Sequence, residues 1–393
     1  MSGALAPGAS IGILGGGQLG RMLAVPARRL GYRVVIYSDE PHGPAAQWAD
    51  HTVVGGFDDL DRVALFAKQV AVATFETEHV PLPCVDVVLK HTRVRPSRCV
   101  LEVAQNRRLE KETLARLGAP LPKFATVDPA RELADQVAAF SGPCVLKTTT
   151  GGYDGKGQWL LREAADVVKA ASELQGRAAV LEEWIDLDIE CSVIGCRSEA
   201  GEVVFYGPII NHHRDHILDV SLCPADAIAA SIQSQAREVT RMLLDQLEVV
   251  GLLCVEFFVT REGRLLVNEL APRPHNSGHL TIEAHVTSQF EQHIRAICGL
   301  PLGSVEQLRP AAMSNLLGDL WAGGEPDWNA VTRWPTAKLH LYGKTDAKPG
   351  RKMGHITATG TTGDEAARVA EEARAVLALP AMRSRSGGCL DRI

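Results

Sequence analysis

The sequence predicts an opening α/β unit followed by α+β architecture, and three observations carry that expectation. An apolar strand from Ser10, a glycine turn at Gly15, Gly16, Gly17 and Gly20, and a second strand at Val34–Tyr37 ending at Asp39 read as the start of a βαβ unit. Beyond about residue 120 strands and helices mix, with hairpin-like pairs in place of strict βαβ alternation. A length of 393 residues divides into two or three units of ordinary domain size.

In chain order, Pro26 falls inside the helix-compatible stretch to Leu30, which predicts a kink or a late start. Further strands are expected at Val70–Phe75 and Val85–Leu89, completing a parallel sheet covered by helices as far as about residue 110. One helix from Glu102 to Leu117 stops at Gly118, and the proline-marked segment Ala119–Pro122 marks a boundary. Strands at Pro143–Lys147 and Ala179–Ile185 flank a glycine-rich loop and a helix at Ala164–Leu174. A third region carries strands at Ile189–Gly195, Val203–Tyr206, Leu252–Thr260 and Arg264–Leu270, with a long helix, Ala225–Leu247, between the middle two. The last roughly ninety residues, rich in Gly, Pro and Trp, are expected to form a small mixed cap.

Composition removes several classes. With 46% hydrophobic and 22% charged residues, chain-wide disorder is not expected. A balance of 41 Lys and Arg against 47 Asp and Glu, net −6, lacks the general attraction of a basic surface, so neither nucleic acid nor a membrane is an expected partner. The opening segment carries no charged n-region and the later apolar stretches are interrupted by Gly, Arg or Pro, so no secretion signal or transmembrane span is expected. Nine scattered cysteines, the nearest pair being Cys191 and Cys196, argue against a disulfide framework and for a reducing, cytoplasmic setting.

Five segments carry chemistry. Gly15-Gly16-Gly17-Gln18-Leu19-Gly20 fits G-x-G-x-x-G after a strand; alone it is compatible with a dinucleotide site, another small polar ligand or a purely structural turn. The run from Thr148 to Gln158, with Gly151, Gly152, Gly155 and Gly157 around Tyr153, Asp154 and Lys156, can close backbone amides over a polyphosphate, while Lys147 and Lys156 supply positive charge. Two apolar strands meet at Arg261-Glu262-Gly263-Arg264. If Glu262-Gly263 is a two-residue turn, Glu256 sits directly opposite Glu269, and like charges that close require a cation such as Mg²⁺, with Asn268 as a further oxygen donor. Phe258 and Val267 are expected on the same, covered face. Glu182-Glu183-Trp184-Ile185 suits an adenine ring and Glu190 a ribose, although a solvated acidic pair is the usual explanation. Arg273-Pro274-His275-Asn276-Ser277-Gly278-His279 makes a polar pocket for a small oxyanion, with a histidine metal site as the rival, and near the C-terminus Lys344 with Arg351-Lys352 reads equally well as a phosphate clamp or a solvated basic turn.

Together these segments resemble the ATP-grasp superfamily and, within it, the N5-carboxyaminoimidazole ribonucleotide synthetase family. The likeness rests on G-G-G-Q-L-G-R-M at Gly15–Met22, T-G-G-Y-D-G-K-G-Q-W at Thr150–Trp159 and N-E-L-A-P-R-P-H-N-S-G-H at Asn268–His279, and runs from about Ser10 to about His355. It implies an ATP-grasp fold with an N-terminal Rossmann-like (pre-ATP-grasp) domain at 1–110, an ATP-grasp domain at 111–298 with a lid at about 119–187, and a C-terminal cap at 299–393. The implied reaction is ATP- and bicarbonate-dependent carboxylation of 5-aminoimidazole ribonucleotide through carboxyphosphate, by a homodimer.

By the same resemblance, Arg107, Lys147, Lys156 and Gly152–Gln158 contact ATP phosphates, Glu182, Glu183, Trp184 and Ile185 hold adenine, and Glu190 and His213 lie at the nucleotide. Glu256 and Glu269 bind Mg²⁺ or Mn²⁺, and Arg273, His275 and Asn276 form the bicarbonate and carboxyphosphate pocket. Gln18, Leu19, Glu76, Tyr153 and Asp154 face the ribonucleotide, with Lys344 and Arg351 on its phosphate. Two departures stand out: Phe75-Glu76-Thr77-Glu78-His79 where the family shows F-E-F-E-N, and His216 where it favours glycine. The alternatives are another ATP-grasp ligase, such as a formate-dependent glycinamide ribonucleotide transformylase or a biotin carboxylase-like subunit, an NAD-dependent dehydrogenase, and a nucleotide-binding regulator without turnover.

Overall fold

The structure is a computed structural model that describes residues 3–128, 131–152 and 156–378. Its first sheet is parallel, in the order β3-β2-β1-β4-β5. The elements are β1 (Ser10–Leu14), α1 (Gln18–Arg29), β2 (Arg33–Ser38), β3 (His51–Val54), α2 (Leu60–Ala67), β4 (Val72–Phe75), α3 (Leu82–Leu89), β5 (Arg93–Val94) and α4 (Arg98–Gln105). The central strands are buried on both faces, so they read as continuous apolar runs.

Three expectations need correction. Val85–Leu89 lies in helix α3: Pro81 precedes it and Pro83 occupies its first turn, where a missing N–H costs nothing, and a short apolar run does not distinguish strand from helix. Helix α1 starts at once after Gly17 and continues through Pro26 to Arg29. The expected single helix Glu102–Leu117 is α4 followed by α5 (Arg107–Arg116). It breaks at Asn106, whose side chain accepts from Arg108 N–H and Leu109 N–H and so caps the new helix.

The segment expected to form the lid holds a four-stranded sheet, β6-β9-β7-β8, made of β6 (Phe124–Thr126), β7 (Cys144–Thr148), β8 (Gln158–Leu161) and β9 (Ala179–Glu183). Helices α6 (Leu133–Val137) and α7 (Ala164–Leu174) cover it, with Leu146, Leu161, Ala170 and Leu181 in their shared core. The next unit comprises β10 (Leu187–Arg197), β11 (Val203–Arg214), β12 (Ile217–Cys223), α8 (Ala230–Gln246), β13 (Gly251–Thr260), β14 (Leu265–Ala271), α9 (Thr281–Ala284) and α10 (Gln289–Ile297). β15 (Ala311–Leu317), α11 (Trp328–Thr332), β16 (Ala337–Leu341), β17 (Lys352–Thr359) and α12 (Gly363–Ala375) complete the described chain.

Strands β10–β17 form one eight-stranded sheet in the order β14-β13-β10-β11-β12-β15-β17-β16. The C-terminal strands therefore extend the central sheet, because β15 pairs with β12 from Cys223↔Ala311 to Val220↔Ser314. β11 runs eight residues past the Tyr206 boundary read from the sequence, to Arg214, and turns into β12 at Asp215-His216. Both turn residues have positive φ, 51° and 64°, which explains why glycine suits position 216.

A buried histidine joins the first sheet to the central one. The Nδ1 of His293 accepts from Leu252 N–H at 3.2 Å, so Nε2 carries the hydrogen and donates to Thr74 Oγ1 at 2.8 Å. Burial pushes the His293 pKa down to about 3. An unfolded histidine takes up its proton near 6.5, so this group contributes stability above that pH and loses it as pH falls toward 3, by roughly 1.4 kcal/mol per unit. His293→Gln is expected to be destabilised at pH 7 and to decline less steeply than the parent between pH 6 and pH 4, as read by urea unfolding at both ends.

Candidate active site

The acidic pair is where the hairpin reading placed it, but by a different route. The β13–β14 loop has three residues, Arg261-Glu262-Gly263, with Thr260 N–H donating to Arg264 O and Gly263 at φ 75°. Near the loop the register is Phe257↔Val267 and Val259↔Leu265, one residue short of the two-residue-turn expectation. A β-bulge then inserts Asn268 and restores Glu256↔Glu269. Val267 consequently pairs with Phe257 in the core, while Phe258, Asn268 and Glu269 line the same cavity as Glu256. The shared face expected for Phe258 and Val267 is not found, because the three-residue loop pairs Phe258 with Leu266 and Val267 with Phe257.

That cavity, of ≈ 340 Å³, lies between lid and central sheet and is also lined by Arg107, Lys147, Gly152, Gln158, Glu190, His213, Arg273, His275 and Asn276. Its electrostatics are uneven. Burial opposes ionisation of Glu256, but the His275 hydrogen bond and the charges of His275, His213 and Arg273 together outweigh it and leave the carboxyl at about 2. Enclosure and then the Glu256 charge push Glu269 up, against Arg107, whose guanidinium is 3.7 Å away. Two facing carboxylates and a bulged amide form an all-oxygen donor set that suits a hard divalent cation. Among the described residues no group of three or more His, Cys, Asp or Glu could hold a metal ion by itself.

Lys147 does not stand alone at the end of β7. Its Nζ donates to Glu182 Oε2 at 2.9 Å, and Lys111 Nζ lies 3.3 Å from the same oxygen. Burial opposes the Glu182 charge, yet the two lysines hold its pKa at about 2. Glu182 is thus 2% exposed and paired to cations, so the solvated acidic pair is not what is found. Glu183 accepts from Lys123 N–H and the Trp184 side chain is exposed; neither they nor Ile185 line the cavity. Glu190 meets His213 Nδ1 at 2.5 Å; burial lowers the His213 pKa, but Glu190 reverses this and raises it. Gly157 packs on Thr148, while Tyr153, Asp154 and Gly155 lie outside the described residues, so their proposed roles remain untouched. Lys156 does not line the described cavity.

The oxyanion segment is tightly held. Ser277 N–H donates to His275 Nδ1, so Nε2 bears the hydrogen that goes to Glu256 at 2.7 Å. Behind it runs a buried chain: Ser277 Oγ lies 2.8 Å from both His275 Nδ1 and Ser192 Oγ, Asn211 donates to Ser192, and Ser221 donates to Asn211. Arg273 binds Glu78 in a bidentate pair, and although burial raises the Glu78 pKa, this arginine brings it to about 2. Both amide atoms of Asn276 are buried without a partner, an open demand for a ligand.

The glycine turn meets a different fate from a dinucleotide site. Glu76 reaches under the start of α1, accepting from Gly17 N–H at 2.6 Å and Gly20 N–H at 2.8 Å. The protein's own carboxylate fills the amide cradle that would take a pyrophosphate. Burial raises the Glu76 pKa, with Arg273 and Lys344 among the opposing charges. Lys344 Nζ donates to Lys352 O, and Arg351 donates to Asp346 O; burial and then Arg351 bring the Lys344 pKa to about 8. Gln18, Leu19, Lys344 and Arg351 do not line the main cavity, and Leu19 is buried.

Sequence reading missed Glu110, Lys111 and the serine–asparagine chain. Glu110 is buried, which raises its pKa to about 7 against Lys111 and Arg107. In sequence these two residues look like solvated helix charges; the available signal was their i+3 and i+4 spacing from Arg107.

A four-stranded sheet that brings Lys147 to Glu182 and Lys111 beside an acidic hairpin of the central sheet is the arrangement of an ATP-grasp ligase. A model of the ATP-grasp domain matches residues 112–290, one of the ribonucleotide synthetase preATP-grasp domain matches 9–105, and one of the phosphoribosylaminoimidazole carboxylase C-terminal domain matches 311–369. The chain is 42% identical over 351 residues to the N5-carboxyaminoimidazole ribonucleotide synthase of Bacillus subtilis (strain 168), covering 89% of this chain and 91% of that protein. A crystal structure of an ADP complex of N5-carboxyaminoimidazole ribonucleotide synthetase superposes with a TM-score of 0.90 at 41% identity, over 95% of this chain and 98% of that one. The Aspergillus clavatus enzyme in complex with ADP and 5-aminoimidazole ribonucleotide gives 0.86 at 33%, over 94% and 98%. The chain belongs to the N5-carboxyaminoimidazole ribonucleotide synthase family.

At Gly15 φ is 113°, and an added Cβ would lie 2.5 Å from Glu76 Cγ. Gly15→Ala is expected to cost about 1–3 kcal/mol in chemical denaturation through backbone strain, plus displacement of Glu76.

Proposed function

We propose that this chain is an ATP-dependent carbon–nitrogen ligase that converts 5-aminoimidazole ribonucleotide and bicarbonate to N5-carboxyaminoimidazole ribonucleotide in purine biosynthesis. The observation that carries the mechanism is the facing pair Glu256 and Glu269 in one cavity with Lys147, Arg107 and the unpartnered Asn276. A bicarbonate oxygen attacks the γ-phosphorus of ATP, the bond to ADP breaks, and carboxyphosphate forms. The exocyclic amine then takes the carboxyl carbon, directly or as released CO₂, while phosphate leaves and the amine gives up a proton.

Lys147 exchanges its bond to Glu182 for the ATP phosphates, and Lys111 remains to balance Glu182. Arg107 and the loop Gly152–Gln158, including Lys156, add donors to the phosphates and exclude water from carboxyphosphate. Glu182–Ile185 hold adenine through their backbone, and Glu190 and His213 take the ribose side. Glu256 and Glu269, with Asn268, would hold Mg²⁺ or Mn²⁺, which when bound would supply positive charge to the phosphates. Arg273, His275 and Asn276 orient bicarbonate. Gln18, Leu19, Glu76, Tyr153 and Asp154 face the ribonucleotide, whose 5′-phosphate meets Lys344 and Arg351. Since both Glu76 oxygens already accept from the glycine turn, Glu76 also sets the shape of that wall.

Among the described residues no helix is long and apolar enough to cross a membrane. The eight described cysteines are unpaired, which suits a cytoplasmic enzyme. A homodimer is the proposed assembly, and light scattering giving a mass near 42.3 kDa, that of one chain, would refute it.

ADP release is expected to require both bicarbonate and aminoimidazole ribonucleotide; equal turnover without either overturns the assignment. NAD should not bind, and formate or biotin should not replace the two substrates. Glu269→Gln is expected to lower kcat on the order of 100-fold with an unchanged circular dichroism spectrum.

A further inference from the structure

We propose that Glu110 and Lys111 are positioning residues for Glu269, acting by fixing the backbone on both sides of it. The inference rests on the reading of Glu256 and Glu269 as a metal pair. β14 is the edge strand of the eight-stranded sheet, so one row of its backbone groups has no neighbouring strand. The bulge adds to this demand, because an extra residue leaves the regular ladder and its polar groups need other partners.

Helix α5 supplies them. Lys111 Nζ donates to Asn268 O at 2.8 Å, and Glu110 Oε1 accepts from Leu270 N–H at 2.7 Å. One bond falls on the residue before Glu269 and the other on the residue after it. Val267 N–H donates to Pro120 O at 2.7 Å, closing the same edge. Lys111 is 0% and Glu110 3% exposed, burial that charged groups accept only with specific partners.

The same helix face carries Arg107, at i, i+3 and i+4 spacing. Its guanidinium approaches Glu269, and its backbone N–H donates to Thr149 O in the lid loop. Lys111 also shares Glu182 with Lys147. One helix face therefore fixes the distance between the metal carboxylate and the phosphate lysine, and Glu110 and Lys111 hold the carboxylate end.

The test measures Mn²⁺ binding by electron paramagnetic resonance in the presence of ADP, with melting temperature and circular dichroism as fold controls. Glu110→Met and Lys111→Met are expected to weaken Mn²⁺ binding by about 10-fold to 100-fold, while Glu110→Gln, which keeps an acceptor for Leu270 N–H, stays within about threefold of the parent. In turnover, the half-saturating Mg²⁺ concentration should rise for Glu110→Met and its kcat should recover at saturating Mg²⁺, a split that general destabilisation does not produce. Should the Met variants fail to fold, Glu110→Asp keeps the charge and withdraws the acceptor; weakened Mn²⁺ binding supports the proposal. Parent-like Mn²⁺ binding in a folded Glu110→Met or Glu110→Asp, with Glu269→Gln weakened, overturns it. Parent-like binding in Glu269→Gln overturns the metal-pair reading itself, and the proposal with it.

Discussion

Two carboxylates meet across a β-hairpin, and much of the surrounding structure answers the repulsion this creates. Glu256 hydrogen-bonds to His275, and Glu269 faces Arg107, so each acid has its own local balance. The cations that border them are in turn shared: Lys147 and Lys111 divide Glu182, and Arg273 is tied to Glu78. Charges at this density are stable only in a network of mutual partners, and this one borders the cavity between the four-stranded sheet and the central sheet.

The acidic hairpin was legible from alternation and turn chemistry, yet the arithmetic succeeded through two departures that cancel. A three-residue loop moved the register one way and the bulge at Asn268 moved it back. No pattern in the sequence announces a bulge, since it is fixed by what α5 and the Pro120 segment offer to the strand edge. Helix α7 was legible to the residue because its capping box is written locally, at Glu163 and Asp166. Helix α3 was not, because the five residues Val85–Leu89, four of them apolar, fit either period until Pro81 and Pro83 are weighed. Glu182 was read too blandly and Lys111 was missed for a related reason: a charged residue is exposed by default, and only three-dimensional pairing shows otherwise.

The glycine turn shows how one local structure serves different ends. The same amides that hold pyrophosphate in dinucleotide enzymes here hold Glu76, and the missing side chains at Gly15 and Gly17 make room for that carboxylate. Motif and fold were present as read; the occupant is supplied from within the chain. Sequence spacing cannot distinguish these cases, because the deciding residue lies on another strand, β4, and its successor loop.

The continuity of the large sheet sets an order on biosynthesis. As the polypeptide leaves the ribosome, the residues that form the acidic hairpin and the lid emerge first, but β12 waits for β15 before its second edge is covered. Until the final described strands arrive, a nascent chain exposes an open pairing edge next to a nearly assembled catalytic centre, and Lys352, part of that centre's wall, has not yet been made. Activity and protection from aggregation are therefore acquired together, late in synthesis.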